Sequence, residues 1–184
     1  MCSSDLIVIG TDAVRHSDPR RLPFLLLSML LGGGMSSRLF QRVREELGLA
    51  YSVYTYQSFH ADTGMHGVYV GTGPSTASQA YDAIRRELSD VAEHGLPDDE
   101  IAMGKQQLKG QITLSLESVS SRMYRAAAFE LYGEPYRSLD ELLALVDSIT
   151  SEQIAGVARE YFDPDRMTVI SLGPEAIFPK SSRA

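Results

Sequence analysis

Apolar residues recur along this chain at two spacings, and the points where one spacing gives way to the other mark its elements. Residues 6–10 (LIVIG) form a short apolar run of the kind that makes a buried strand. Residues 22–31 are almost wholly apolar and follow Asp18 and Pro19, which open a helix with proline in its first turn. Such density predicts a helix that is mostly buried. Gly32, Gly33 and Gly34 come next, and a glycine in the left-handed region is the expected helix stop. In residues 37–47, Leu39, Phe40, Val43 and Leu47 make the apolar stripe of a short second helix, which leaves Arg38, Arg42 and Arg44 off the core side. Gly48 ends that helix.

Period two then takes over. Residues 51–60 and 65–72 are β-rich and are separated by Ala61, Asp62, Thr63 and Gly64, a hairpin signal. Alternation places Tyr51, Val53, Thr55, Gln57 and Phe59 on one face and Tyr54 and Tyr56 on the other. Gly73 and Pro74 start a helix reaching about His94, with Ala80, Ala83, Ile84, Leu88 and Val91 as its stripe and Gly95 as its stop. Asp98, Asp99 and Glu100 sit where negative charge stabilises the start of the next helix, whose stripe runs through Ile101, Leu108 and Ile112. A break near Glu117 and Ser118 leads into a helix ending at Tyr132 and Gly133. Ser138 with Glu141, and Thr150 with Gln153, have capping-box spacing ahead of two short helices. Asp163, Pro164 and Asp165 turn the chain into a last strand over residues 167–172, closed by Gly173 and Pro174.

This order predicts an α+β fold of two layers, a mostly antiparallel sheet with helices packed on one face. A single domain is expected over residues 6–174. Residues 1–5 (MCSSD) read as a non-native or fragment start, and residues 175–184 as a flexible tail.

Composition removes several function classes. With 184 residues and a net charge of −7, the chain lacks the basic face that nucleic acid or an anionic membrane requires. The apolar run of residues 22–31 is about half of what a membrane-spanning helix needs, so a soluble, cytoplasmic protein is expected. Cys2 is the one cysteine, which excludes an internal disulfide and a cysteine-held zinc. His60, Asp62 and His66 cluster around the hairpin, but their spacing matches no helical zinc pair, and hairpin-end histidines are read as solvated. No metal is expected in this chain.

Candidate chemistry concentrates in LGGGMSSRLFQRVREELGLAYSVYTY. One glycine stops a helix; three in a row let another chain approach the backbone, so Gly32, Gly33 and Gly34 are candidate substrate-binding positions. They are no phosphate loop, because no Gly-Lys-Ser/Thr ending follows and no strand leads in. Arg42 and Glu46 are four apart and can pair on the surface. Arg44 lies in the last helical turn, seven residues before Tyr51, with Gly48 reversing the chain between them. A guanidinium and a phenol are both donors at neutral pH, suited to a peptide carbonyl becoming an oxyanion. Helix-terminal arginines also stabilise the dipole and strand tyrosines also pack, so spacing leaves both readings open.

The run GGGMSSRLFQRVREELGLAYSVY resembles the C-terminal half of the pitrilysin and insulinase family of zinc metallopeptidases, close to the branch of mitochondrial processing peptidase. The similarity continues in LKGQITLSLESVSSRMYR, ELYGEPYRSLDELLALVDSIT and REYFDPDRMTVISLGP, covering about residues 6–174. In that family an arginine and a tyrosine around such a Leu-Gly helix end bind the substrate carbonyl near a zinc held by the other half. Arg44 and Tyr51 match them here, with Leu49 and Ala50 between Gly48 and the tyrosine. The resemblance also implies the two-layer fold of these halves. The zinc-binding H-x-x-E-H sequence is absent, and none of the four histidines lies four residues from another. The resemblance therefore implies a half inactive alone, with zinc on an N-terminal partner half, fused or separate, and an extended peptide substrate between the halves. Gly32 to Gly34 would line the entrance. The same family also includes noncatalytic peptide-binding and structural or assembly subunits, which is the alternative it implies. An unrelated α+β binding domain is the reading left if the motif matches are coincidental.

Overall fold

The computed structural model describes residues 5–173. Four strands, β1 (Asp5–Ala13), β2 (Ala50–Phe59), β3 (Gly64–Thr72) and β4 (Thr168–Leu172), form one sheet in the order β2-β3-β1-β4, antiparallel throughout. Among the described residues, six α-helices accompany it: α1 (Arg21–Gly32), α2 (Ala77–His94), α3 (Asp98–Ser115), α4 (Val119–Tyr132), α5 (Leu139–Asp147) and α6 (Ser151–Tyr161). Among the described residues, no helix is long and apolar enough to cross a membrane.

The predicted α+β, two-layer class is what the structure has. Ile7, Ile9, Val53, Val68 and Val70 face the helices and are buried. Against them lies α1, where Phe24, Leu26, Leu27 and Leu31 have no exposed surface. Phe24 is the hub, with Phe59, His66, Tyr161 and Phe162 ring centroids all within 5.8 Å. The stripe of α2 is buried as its spacing predicts, and both capping boxes form, at α5 and α6. Gly48, Gly95 and Gly133 adopt positive φ at helix ends.

Several expectations are corrected. The first strand starts at Asp5, inside the segment read as foreign, and runs on to Ala13. Its polar end, Thr11 to Ala13, is held by backbone pairing with Gly64 to His66, which needs no apolar side chain. Helix α1 begins at Arg21, because Asp18 Oδ1 accepts from the Arg20 backbone N–H at 2.8 Å and holds residues 18–20 as a turn. It does not end in the left-handed region: Gly33 has φ −83°. The short second helix is a π-helix, Phe40–Glu46, in which the Leu47 N–H reaches Arg42 O at 3.2 Å. His66 is not solvated. Only 1% exposed, it lies on the helix side of the sheet. The expected fragment start at residues 1–4 and the tail over 175–184 lie outside the described residues.

Candidate functional site

The three arginines of the π-helix region have different surroundings. Arg38 is taken up by carboxylates of the next two helices: Glu100 at 2.9 Å, Asp90 at 3.4 Å and Glu87 at 3.6 Å. The hydrogen bonds to Glu100 hold its guanidinium pKa above the ordinary value, while burial pushes the Glu87 carboxyl up. Arg42 pairs with Glu46 at 2.5 Å, the surface pair its spacing predicts. Among the described residues, Arg44 has only the adjacent Glu45 as an ionic neighbour, at 3.7 Å, and its guanidinium lies 4.7 Å from the Phe40 ring centroid. A cation over a ring face stays available to an anionic or carbonyl ligand on its other side.

That guanidinium faces a groove of about 360 Å³ at the free edge of β2. Gly32, Gly33 and Gly34 line it, with Met35, Phe40 and Tyr54. The structure thus brings Arg44 and the glycine run together.

The glycines have separate reasons to be glycine. A Cβ on Gly32 would stand 2.6 Å from both the backbone N and the Cγ2 of Thr55, so the end of α1 presses directly on β2. A Cβ on Gly33 would meet the Met29 backbone at 2.8 Å. At Gly34 the nearest neighbour is Gln107 Nε2 at 4.0 Å, which is open space. Close packing accounts for the first two; only Gly34 leaves its backbone open to a ligand.

Tyr51 is displaced from the face its alternation predicts. A bulge between Ala50 and Ser52 breaks the register with β3, so Val53 is buried while Tyr51 is 69% exposed. Its hydroxyl lies toward Gly73, where a Cβ would come within 3.4 Å of it. Tyr51 does not line the groove that holds Arg44. The two therefore flank one turn, Arg44 in the groove and Tyr51 beside it, both partly open to solvent. Nothing in single-sequence spacing shows the bulge; the aromatic Phe40 and Tyr54, which complete the groove, were visible only as stripe and outer-face residues.

The hairpin histidines are separated by burial. His60 and Asp62 are exposed at the tip, whereas His66 Nε2 donates to Ser28 Oγ at 3.1 Å, which donates on to Gln57 Oε1 at 2.8 Å. Burial lowers the His66 pKa to about 3, so the ring is neutral. Among the described residues, no three His, Cys, Asp or Glu side chains come together as a metal site. The donor set for zinc is not in this part of the chain.

Comparison with known proteins fixes the lineage. The family description "Peptidase M16 inactive domain" matches residues 5–108, more than half of the chain. The chain belongs to the M16 peptidase family. Over 154 residues this M16 domain is 45% identical to the uncharacterized zinc protease SCO5738 of Streptomyces coelicolor, covering 84% of this chain and 34% of that protein. Over 159 residues it is 38% identical to the uncharacterized zinc protease YmxG of Bacillus subtilis, covering 86% and 39%. The crystal structure of an M16 inactive domain from Pseudomonas fluorescens superimposes with a TM-score of 0.86 at 22% identity, over 95% of this chain and 42% of that one. The chain thus spans little more than a third of the length of these curated relatives. The matching description is that of the inactive domain, and among the described residues no metal-binding cluster is present.

Proposed function

We propose that this chain is the non-zinc half of a zinc metalloendopeptidase, on the processing-peptidase-like branch of the family, and that Arg44 and Tyr51 hold the scissile carbonyl of an extended peptide. The observation that carries this reading is the position of Arg44. It is the arginine of its helix that the surrounding carboxylates leave largely unengaged, and it faces a groove edged by open backbone at Gly34. As the carbonyl oxygen gains negative charge, a guanidinium and a phenol placed beforehand stabilise it without reorganising. Tyr51, 69% exposed beside the same turn, leaves its hydroxyl open to a ligand lying over it. Gly34 would offer backbone to the entering chain.

Zinc on an N-terminal H-x-x-E-H half would supply the activated water. That half, fused or separate, is a partner this reading requires. A noncatalytic peptide-binding or assembly subunit is the second reading, favoured by α4, in which none of the 14 residues is buried.

The test is Arg44→Ala and Tyr51→Phe in a complex reconstituted with an H-x-x-E-H half. Loss of one oxyanion donor lowers kcat roughly ten- to thousand-fold. Unchanged kcat in both variants removes the oxyanion role.

A further inference from the structure

Phe40 departs from the place its spacing gives it. In an α-helix Phe40, Val43 and Leu47 would share one buried stripe. In the π-helix region Leu39 and Val43 are fully buried, whereas Leu47 is 43% exposed and Phe40 is only partly buried. The i→i+5 bonding, seen between Arg42 O and the Leu47 N–H, widens the turn, so a residue four places on stops short of a full turn instead of passing it. Arg44 is that residue for Phe40, and its guanidinium stands over the ring at 4.7 Å. The ring packs against the core and also lines the Arg44 groove. It is an anchored surface beneath a long side chain. Acidic neighbours compete for that side chain. Glu46 is engaged by Arg42 at 2.5 Å, so among the described residues Glu45, at 3.7 Å, is the one carboxylate within 4 Å of Arg44. Both members of that pair are exposed, and such a pair contributes little.

We infer that Phe40 is a positioning residue for Arg44: its ring holds the guanidinium at the groove with the N–H donors free, and keeps it from capture by Glu45. The inference rests on the reading of Arg44 as a carbonyl-binding group. A carboxylate partner would accept one or two of the five guanidinium N–H bonds and offset the charge that an oxyanion requires. A ring attracts the same cation through its quadrupole and accepts no conventional hydrogen bond, so the donors remain for the ligand. Holding the arginine before the peptide arrives also removes part of the ordering cost from the reaction itself. At an exposed site such a contact favours the held geometry by a factor of about two to five. Tyrosine at position 40 keeps the quadrupole. Leucine or methionine keeps an apolar contact with the core and loses it.

Two measurements test it, on variants matched to the parent by circular dichroism. In the isotope-labelled chain, the Arg44 Nε–H resonance, assigned by its loss in Arg44→Ala, should be displaced by the ring current. Phe40→Leu and Phe40→Met should each return it to the position of an unstacked arginine, and Phe40→Tyr should leave it displaced. In the complex with an H-x-x-E-H half, Phe40→Leu should slow single-turnover cleavage about two- to fivefold. Phe40→Tyr should cleave like the parent, and Glu45→Gln added to Phe40→Leu should recover rate. In the Arg44→Ala background Phe40→Leu should cost nothing further, because the two residues act as one unit. A resonance that both aliphatic variants leave in place overturns the inference, as does a Phe40→Leu slowdown that persists at full size without Arg44 or that Glu45→Gln does not relieve. Cleavage at the parent rate by Arg44→Ala removes the carbonyl-binding reading, and the positioning role with it. A slow Arg44→Ala beside a Phe40→Leu variant with parent resonance and rate removes the positioning role alone.

Discussion

Replacing Gly32 and Gly34 by alanine, one at a time, separates packing from ligand access within a single glycine run. At Gly32 the new Cβ would stand 2.6 Å from the Thr55 backbone N. Thr55 cannot retreat cheaply, because it is paired with Val68 of β3 and its hydroxyl donates to Ser28 O at 2.7 Å. Overpacking of this kind costs about 1–3 kcal/mol, and the backbone entropy that alanine saves over glycine returns roughly 0.5–1 kcal/mol. The net expectation centres on a loss of roughly 1 kcal/mol within a span of about 0–2.5 kcal/mol, or about 2–4 °C in Tm at the centre for a chain of this size. At Gly34 the nearest atom is 4.0 Å away and φ is not positive, so alanine fits. There the expected change is zero to a gain of about 1 kcal/mol, through the unfolded chain. Urea and thermal melts of both variants measure the difference. A Gly32→Ala variant as stable as the parent, or a Gly34→Ala variant destabilised as much as Gly32→Ala, refutes the division of labour.

Acid should destabilise the fold through His66. Its folded pKa of about 3 lies below the ordinary 6.5, so the unfolded chain binds the extra proton between these values; stability is fully present above the ordinary pKa and falls by about 1.4 kcal/mol per pH unit below it. Between pH 6.5 and 5 that is about 2 kcal/mol in urea melts, and His66→Leu should remove one proton's worth of slope; an unchanged slope assigns the acid sensitivity elsewhere. Arg38→Ala breaks the junction of the π-helix with α2 and α3 and should cost about 1–3 kcal/mol in the same melts, with Arg42→Ala, on the exposed side, costing far less. Equal effects would show that the Glu100 contacts contribute nothing special.

Much of the fold was legible because its elements obey one rule at a time. The α2 stripe, both capping boxes, the hairpin and the positive-φ glycines at 48, 95 and 133 are local signals, and each is where spacing puts it. What escaped depends on contacts between distant segments. The polar end of β1 is a strand only because β3 pairs with it, and His66 is buried because Phe24 and Phe162 close around it. At the site, Arg44 could be picked out as chemically apt, yet its freedom was visible only once Arg38 was seen to be occupied by Glu100, 62 residues away. The Tyr51 bulge leaves no mark on composition. Nor does the bareness of α4, none of whose residues is fully buried in this domain.

The central claim, that this domain contributes carbonyl-binding donors to a peptidase completed by another half, is tested most directly by single-turnover cleavage of a peptide by the reconstituted pair. With Arg44→Ala the account predicts a chemical step slowed roughly ten- to thousand-fold, with peptide still bound and the complex intact by sedimentation. A complex that cleaves at the parent rate without Arg44 would contradict it.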